Sequence, residues 1–195
     1  MDTQEELVAR HNKKYGPGTL VRGDQLRRLE LPRVTTGSLS FDRMLGGGWP
    51  LNQWNEIIGN ESQGKTVLAL KTIAANQADN PDYQVLWVAS EEWVGEWSLK
   101  LGIDPKRVIL AETNIMEDAF EIILDFIDNQ AVDAVVLDSY PALVPASEDE
   151  KAMVDWQQGL GARLMGKFMR KSNTAQRRSL IHEERDCLAL IINQW

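Results

Sequence analysis

The sequence contains one cysteine, two histidines and no long apolar run, and each of these scarcities excludes a class of protein. Cys187 has no partner for an internal disulfide, and His11 and His182 lie too far apart in sequence for metal-ligand spacing. No window approaches the roughly 18 consecutive apolar residues that a membrane-spanning helix requires. The N-terminus is charged rather than apolar, unlike a secretory signal. We therefore expect a cytoplasmic protein with no membrane partner, in which Cys187 is a buried strand residue.

Acidic and basic residues are unevenly distributed along the 195-residue chain, whose length suits one domain with a small N-terminal appendage. The formal net charge of −8 is unfavourable for a general nucleic-acid binder. Residues 151–182, however, contain seven Lys or Arg residues against the single acid Asp155. This basic segment is suited to a DNA contact, and equally to a solvated helix face or a subunit contact.

Apolar runs alternate with amphipathic segments from Trp54 onwards. Near-continuous Val, Ile and Leu runs of strand length, separated by helical periodicity, predict an α/β fold with a mostly parallel sheet flanked by helices. Ligands of such a sheet bind at the carboxyl ends of its strands. The predicted strands are 54–58, 83–90, 107–112, 133–139 and 187–192, and the predicted helices are 4–15, 66–78, 117–130 and 156–172.

The stretch GNESQGKT at 59–66 matches the pattern G-x-x-x-x-G-K-[ST] between a predicted strand and a predicted helix. Its glycines let consecutive backbone N–H groups, together with the positive end of the helix, face one anion. Lys65 would reach the β and γ phosphates of ATP, and Thr66 would offer its hydroxyl to Mg²⁺. The alternative is a plain glycine-rich turn. The predicted nucleotide-binding residues of this loop are Gly59, Asn60, Glu61, Ser62, Gln63, Gly64, Lys65 and Thr66.

Carboxylates follow two other predicted strands. Asp138 ends the apolar run VVLD and is predicted to hold Mg²⁺ together with Thr66, although a strand-end Asp alone is often a turn former. Glu91 and Glu92 follow the strand VLWVAS, where hydrolysis would need a group that orients or deprotonates water. One of the two is expected to act and the other to lie at the surface.

Several blocks beyond the loop resemble bacterial and phage RecA-type recombinases in the same order along the chain. These blocks are TTGSLSFDRMLGGGWP (35–50), GNESQGKT (59–66), AVDAVVLDSYPALVP (131–145), GLGARLMGKFMRK (159–171) and IINQ (191–194). The stretch LVARHNKKYGPGTLVRGD (7–24) is similar to the family's helix and strand by which one protomer grips the next. The resemblance therefore covers nearly the whole chain.

This resemblance implies a RecA-like P-loop NTPase core, incomplete at 34–195, preceded by an oligomerisation helix and strand at 1–33. It implies a DNA-dependent ATPase that uses ATP and Mg²⁺ in the cytoplasm of a bacterium or a phage-infected host. Such a protein forms helical filaments with itself on single-stranded DNA and pairs that strand with double-stranded DNA in recombination and repair.

The resemblance also implies roles for particular residues. Glu91 matches the catalytic glutamate, with Glu92 still open because one residue is missing before Leu101. Lys65 and Gln194 complete the catalytic set, with Gln194 as the sensor of the γ-phosphate. Trp97 falls beside the adenine, or else is an ordinary core or surface tryptophan. The implied DNA-binding residues, in or just after a loop at about 148–159, are Gln158, Gly159 and Arg163.

Two departures from the family pattern keep other functions open. The sequence stops at Trp195, where the second DNA-binding loop would begin, and residues 172–186 form a longer and more polar connection than usual. We interpret the chain as a piece of a recombinase or a reduced phage version. A second hypothesis is a nucleotide-binding module that joins a partner's filament through residues 4–24 without recombining DNA. A third, less favoured, is a RecA-like motor acting on another substrate.

Overall fold

The computed structural model describes residues 2–16, 19–23, 31–93, 95–149, 159–182 and 185–195. The chain divides into two compact units, Met1–Leu31 and Pro32–Trp195. In the part of the chain that is described, no helix is long and apolar enough to cross a membrane.

The N-terminal unit is built around helix α1 (Gln4–Tyr15). A capping box starts it: the Glu6 amide donates to the Thr3 hydroxyl at 3.3 Å, and the Thr3 amide donates to the Glu6 carboxylate at 2.7 Å. No residue of α1 is buried. Among the described residues 19–23, the strand that the resemblance implies within 7–24 is not formed. Residues 19 and 20 form a bend, and the Asn12 side-chain amide binds both the N–H and the C=O of Leu20 at 2.7 and 2.8 Å.

The larger unit contains the predicted α/β fold. Its sheet has five strands in the order β3-β7-β6-β4-β5, and every pairing is parallel. A two-stranded antiparallel ribbon of β1 (Arg33–Val34) and β2 (Trp49–Pro50) precedes it. The five strands of the sheet are β3 (Trp54–Ile58), β4 (Val85–Ala89), β5 (Val108–Glu112), β6 (Ala134–Asp138) and β7 (Leu188–Asn193). This architecture confirms the fold class expected from the alternation of apolar runs and helical periodicity.

Three long helices cover the sheet. Helix α3 (Lys65–Asp79) packs on one face, where Leu70 and Ile73 join a core with Trp87 and Leu190. Helices α5 (Met116–Asp128) and α7 (Leu160–His182) pack on the other face around Phe168. The described part of the unit also contains three short α-helices: α2 (Leu39–Met44), α4 (Gly95–Lys100) and α6 (Ala146–Asp149). Fully apolar central strands are what a sheet covered on both faces requires.

Helix α7 differs most from the sequence-based expectation. The prediction ended the helix at 172 and assigned residues 172–186 to a polar connection, but α7 continues to His182. Ser172, Ala175 and Gln176 are buried along it, and Ser172 accepts a hydrogen bond from the Trp54 indole at 2.8 Å. The buried face therefore continues across this segment with small and polar residues, which a search for apolar periodicity does not detect. The predicted start, 156–158, lies outside the described residues.

Cys187 is buried as expected, but it precedes the strand, because β7 begins one residue later at Leu188. Burial raises the pKa of its thiol to about 12, so the reactive thiolate is scarce at neutral pH.

A glycine lets the segment that resembles the family's TGS block approach α3 closely. Gly37 has a φ of +74°, and a Cβ there would lie 2.5 Å from the Lys71 carbonyl oxygen. Asp42 holds the same segment, since its carboxylate accepts from the Thr35 hydroxyl at 2.6 Å and from the Thr36 amide at 2.7 Å. The block therefore fixes the chain beside α3, the helix that begins at the phosphate loop.

Candidate nucleotide-binding site

The loop 59–66 leads from β3 directly into α3. Gly64 occupies the left-handed region at φ +82° and caps the helix, and Ser62 also has a positive φ of 56°. The Lys65 ammonium donates to the carbonyl oxygens of Gly59 at 3.0 Å and Asn60 at 2.7 Å. It therefore lies across the start of the loop, next to the first-turn amides of α3, which have no carbonyl partner within the helix.

The Gln63 side chain closes the loop from within. Its Oε1 accepts the Asn60 backbone N–H at 3.1 Å, and a Cβ on Gly59 would lie only 2.9 Å from the same oxygen. Glycine at 59 therefore leaves the room that this contact uses, and the loop keeps its curvature through its own side chain.

A cavity of about 790 Å³ opens beside the loop at the carboxyl ends of the strands. Because all strands run in parallel, residues that follow β3, β4, β6 and β7 reach the same edge of the sheet. Gly59 and Asn60 belong to the loop but do not line this cavity. The predicted site residues that do line it are Glu61, Ser62, Gln63, Gly64, Lys65, Thr66, Glu91, Trp97, Asp138 and Gln194.

Asp138 is the carboxylate most affected by its surroundings. Burial raises the pKa of its carboxyl group to about 6, and the Glu91 carboxylate adds to that rise. The Thr66 hydroxyl and the Lys65 ammonium act in the opposite direction. A divalent cation beside Thr66 and Asp138 would favour the ionised form, so hydroxyl and carboxylate together fit Mg²⁺ at this place.

The raised pKa gives Asp138 a predictable effect on stability. A folded-state pKa of about 6 against the ordinary 3.8 means that the folded chain holds more protons than the unfolded chain between these values. The group therefore contributes stability below pH 3.8, and the contribution is lost as the pH rises through about 6. We expect Asp138→Asn, without nucleotide, to melt higher than the unaltered chain at pH 7.5, with a smaller difference at pH 4.5. A melting difference that does not change with pH would contradict the raised pKa.

The two adjacent glutamates occupy different places. Glu91 lines the cavity and accepts a hydrogen bond from the Ser139 hydroxyl at 3.1 Å. Glu92 is exposed and lines only a small neighbouring pocket of about 40 Å³, which Glu91 also lines. The geometry therefore favours Glu91 over Glu92 for a group that faces a ligand in the larger cavity.

Trp97 and Gln194 lie on the rim. Trp97, on α4, is half exposed, and the Lys100 ammonium lies 5.5 Å from the centroid of its ring. The indole is thus no core residue and has a face that a flat ring can stack on. Gln194 follows β7 directly, and its backbone amide donates to the Asn193 side chain at 2.8 Å.

The predicted DNA-binding residues lie elsewhere. Gly159 directly precedes α7, and Arg163 lies in the first turn of that helix. Both residues are exposed, and neither lines the cavity beside the loop 59–66. Gln158 lies outside the described residues. The structure thus separates the described DNA candidates from the loop 59–66.

The positive charge of the basic segment is partly compensated by tertiary structure. A groove of about 900 Å³ runs between α5 and α7, with Phe120 and Phe168 among its lining residues. The α7 side carries Lys167, Arg170 and Lys171, and the α5 side carries Glu117, Glu121, Asp125 and Asp128. Acids that face the bases weaken the attraction of this stretch for phosphates. Among the described residues of the segment, Arg163 stands outside this compensated groove.

Ser139, which is not among the predicted site residues, lines the cavity and is almost completely buried. Its position directly after Asp138, at the end of a predicted strand, could have marked it as a site residue. Val67 and Leu70 supply apolar lining that no motif marks, and Ile192, in the block IINQ, adds to it.

Taken together, a parallel sheet, a glycine-rich loop between its first strand and the next helix, and a cavity at the carboxyl ends of the strands define the P-loop NTPase class with a RecA-like core. The family model for the RecA N-terminal domain matches residues 3–195. The chain therefore belongs to the RecA family.

Similar proteins agree with this assignment. The chain is 39% identical over 160 residues to Protein RecA of Crocosphaera subtropica, covering 82% of this chain and 45% of that protein. It is 41% identical over 170 residues to Protein RecA of Petrotoga mobilis, covering 86% and 46%. Against Protein RecA of Chloroherpeton thalassium it is 39% identical over 184 residues, covering 93% and 49%. The chain thus spans about half the length of the curated relatives it matches.

Proposed function

We propose that this protein is an ATP-dependent DNA recombinase that binds single-stranded DNA as a filament and promotes pairing and strand exchange with double-stranded DNA. The observation that carries the proposal is the single cavity lined by Lys65, Thr66, Glu91 and Asp138. A cation, a hydroxyl and two carboxylates around an anion-binding loop are the groups that hydrolysis of a Mg²⁺-bound triphosphate needs.

Each residue then has a distinct role. The amides of 61–66 hold the phosphates, with Lys65 at the β and γ groups. Thr66 and Asp138 hold Mg²⁺, which would stabilise the charge that develops on the phosphates. Glu91 orients or deprotonates the attacking water. Trp97 supports the adenine by stacking, which fits its half-exposed ring on the cavity wall.

Gln194 is proposed to link the two ligands. It lines the nucleotide cavity at the end of β7, where the γ-phosphate would be within its reach. Binding of ATP strengthens binding of DNA only if both ligands favour the same arrangement of Gln194 and of the DNA-binding segments. Arg163 and Gly159, with Gln158, are the DNA contacts of this proposal.

Two features support self-association into a filament. Among the described residues, β5 pairs only with β4, so its other edge is open to a strand of another chain, and its Ile109 and Leu110 side chains are exposed. No residue of helix α1 is buried. We propose residues 1–33 as the arm that a second copy receives.

The test is DNA binding and strand exchange by this chain. We expect retention of single-stranded DNA on a filter to require MgATP and to weaken steeply with salt, with a slope of about −0.7 per phosphate neutralised. Arg163→Ala should reduce binding, whereas Arg43→Ala, on the exposed helix α2, should not. Strand-exchange product in the presence of ATP supports the recombinase. Binding that depends on neither ATP nor salt contradicts it.

A second candidate function is a nucleotide-binding module that joins a partner's filament without recombining DNA. The observation that favours it is the edge strand β3, which pairs only with β7 among the described residues and leaves Ile58 exposed. An open edge of this kind is completed by another strand or promotes association. MgATP binding without strand-exchange product would select this candidate over the first.

A further inference from the structure

Ser139 is a buried polar residue in the proposed active site to which the residue roles above assign nothing. It is 2% exposed, follows Asp138 at the carboxyl end of β6 and lines the nucleotide cavity. Its hydroxyl donates a hydrogen bond to Glu91 Oε1 at 3.1 Å. A buried hydroxyl needs a hydrogen-bond partner, and here that partner is the proposed catalytic carboxylate.

Local structure does not account for this hydroxyl. Ser139 precedes the 3₁₀ turn Tyr140–Ala142, a position where a serine often caps the turn through its side chain. Its side chain makes no such capping bond. The hydroxyl is therefore free of a backbone role in the turn.

The backbone around Ser139 is hydrogen-bonded to the segment that follows β4 and leads to Glu91. The Ser90 amide donates to the Asp138 carbonyl at 2.8 Å, and the Ser90 hydroxyl donates to the Ser139 carbonyl. Strand β4 pairs with β6 up to Ala89 and Asp138. These contacts hold the Ser139 backbone beside that of Ser90, the residue before Glu91, so the hydrogen bond from the Ser139 hydroxyl mainly restricts the Glu91 side chain.

We propose that Ser139 is a positioning residue that orients the Glu91 carboxylate for its action on water. The inference rests on the function proposed above. Glu91 is exposed and has many rotamers available, and one fixed hydrogen bond to Oε1 leaves Oε2 free to receive a proton. Ser139 acts through Glu91 and does not need to contact the nucleotide. Its loss should therefore slow hydrolysis and leave nucleotide binding unchanged.

The test compares Ser139→Ala with Ser172→Ala. Ser172 is also a fully buried serine in a side-chain hydrogen bond, with the Trp54 indole, but it lies on α7 outside the nucleotide cavity. We expect Ser139→Ala to lower kcat for MgATP roughly tenfold, with KM and the MgATP-induced melting shift unchanged. Ser172→Ala should melt lower and retain the kcat of the unaltered chain. In a Glu91→Ala background, removing the Ser139 hydroxyl should have no further effect on kcat.

The other outcomes separate the inference from the function beneath it. Unchanged kcat in Ser139→Ala, or an equal loss in the Glu91→Ala background, overturns the positioning role alone. A chain that binds MgATP but shows no turnover even with single-stranded DNA present overturns both this role and the catalytic role of Glu91. Failure of MgATP to shift the melting temperature of the unaltered chain removes the proposed function itself.

Discussion

Lys65→Ala is expected to abolish the stabilisation that MgATP gives to the folded chain. At a nucleotide concentration of 100 times Kd, binding stabilises a protein by about 2.7 kcal/mol. For a chain of this size, that corresponds to a rise in Tm of about 5–10 °C. We expect the rise in the unaltered chain and its absence in the variant, measured by thermal melting with and without MgATP.

The large effect follows from the charges around the cavity. Among the described residues, Lys65 is the one basic side chain that lines it, whereas Glu61, Glu91 and Asp138 are acidic. A triphosphate that enters a cavity with three carboxylates needs compensating positive charge from Lys65, the loop amides and Mg²⁺. Without the ammonium, the remaining groups must hold the same anion against net repulsion.

A control separates nucleotide binding from stability. Lys65 also donates to the Gly59 and Asn60 carbonyls, so its removal loosens the loop in the absence of ligand. The quantity to compare is therefore the MgATP-induced shift within each variant. Lys71→Ala, an exposed lysine on the same helix α3, should keep the full shift. A full shift in Lys65→Ala would contradict the assignment of the loop 59–66 as the phosphate site.

The sheet and the residues at its edge could be predicted because each depends on local sequence. Apolar runs such as AVVLD and VLWVA mark strands buried on both faces. Once the strands are parallel, their carboxyl ends coincide, and Lys65, Asp138 and Gln194 fall in one cavity without further information. The pattern at 59–66 predicts a phosphate site because a strand precedes it and a helix follows it.

The remaining features depend on contacts between distant segments. The continuation of α7 past 172 buries Ser172 and Gln176, whose burial no hydrophobic pattern reports. The positive charge of the basic segment is partly compensated because α5, which precedes it in the chain, places acids in the same groove. Ser139 becomes informative only when β4 and β6 are known to be neighbours. Which charges lie opposite each other, and how a side chain is oriented, depend on the folded structure and cannot be read from local sequence.

Phe168→Ala is expected to destabilise the folded chain strongly. Phe168 is 2% exposed and lies at the centre of an aromatic cluster on the α5–α7 face of the sheet. Its ring stacks on Phe120 with centroids 4.2 Å apart and packs against Trp54 at 5.4 Å. Truncation of a buried Phe to Ala costs about 3–5 kcal/mol because it loses apolar burial and leaves a cavity.

At about 2–4 °C per kcal/mol, the Tm of Phe168→Ala should fall by on the order of 10 °C. Phe168→Leu, which keeps most of the volume, should lose less than about 1.5 kcal/mol. Phe41→Ala, at an exposed ring on α2, should change stability by less than about 0.5 kcal/mol. Equal losses in Phe168→Ala and Phe41→Ala would contradict the central place of Phe168 in this core.

The same substitution separates the two ligand sites. The cluster around Phe168 lies on the face opposite α3, and α7 begins at Leu160, next to the proposed DNA contacts. Loss of the Phe168 ring therefore loosens the helix that carries Arg163 while the loop 59–66 keeps its support from α3. Phe168→Ala should therefore keep the rise in Tm that MgATP induces. At temperatures below its Tm, the same variant should bind single-stranded DNA more weakly than the unaltered chain. If Phe168→Ala lost both the MgATP-induced rise in Tm and the affinity for single-stranded DNA, the two faces of the sheet would be disturbed together. That result would contradict a separate effect of α7 on DNA binding.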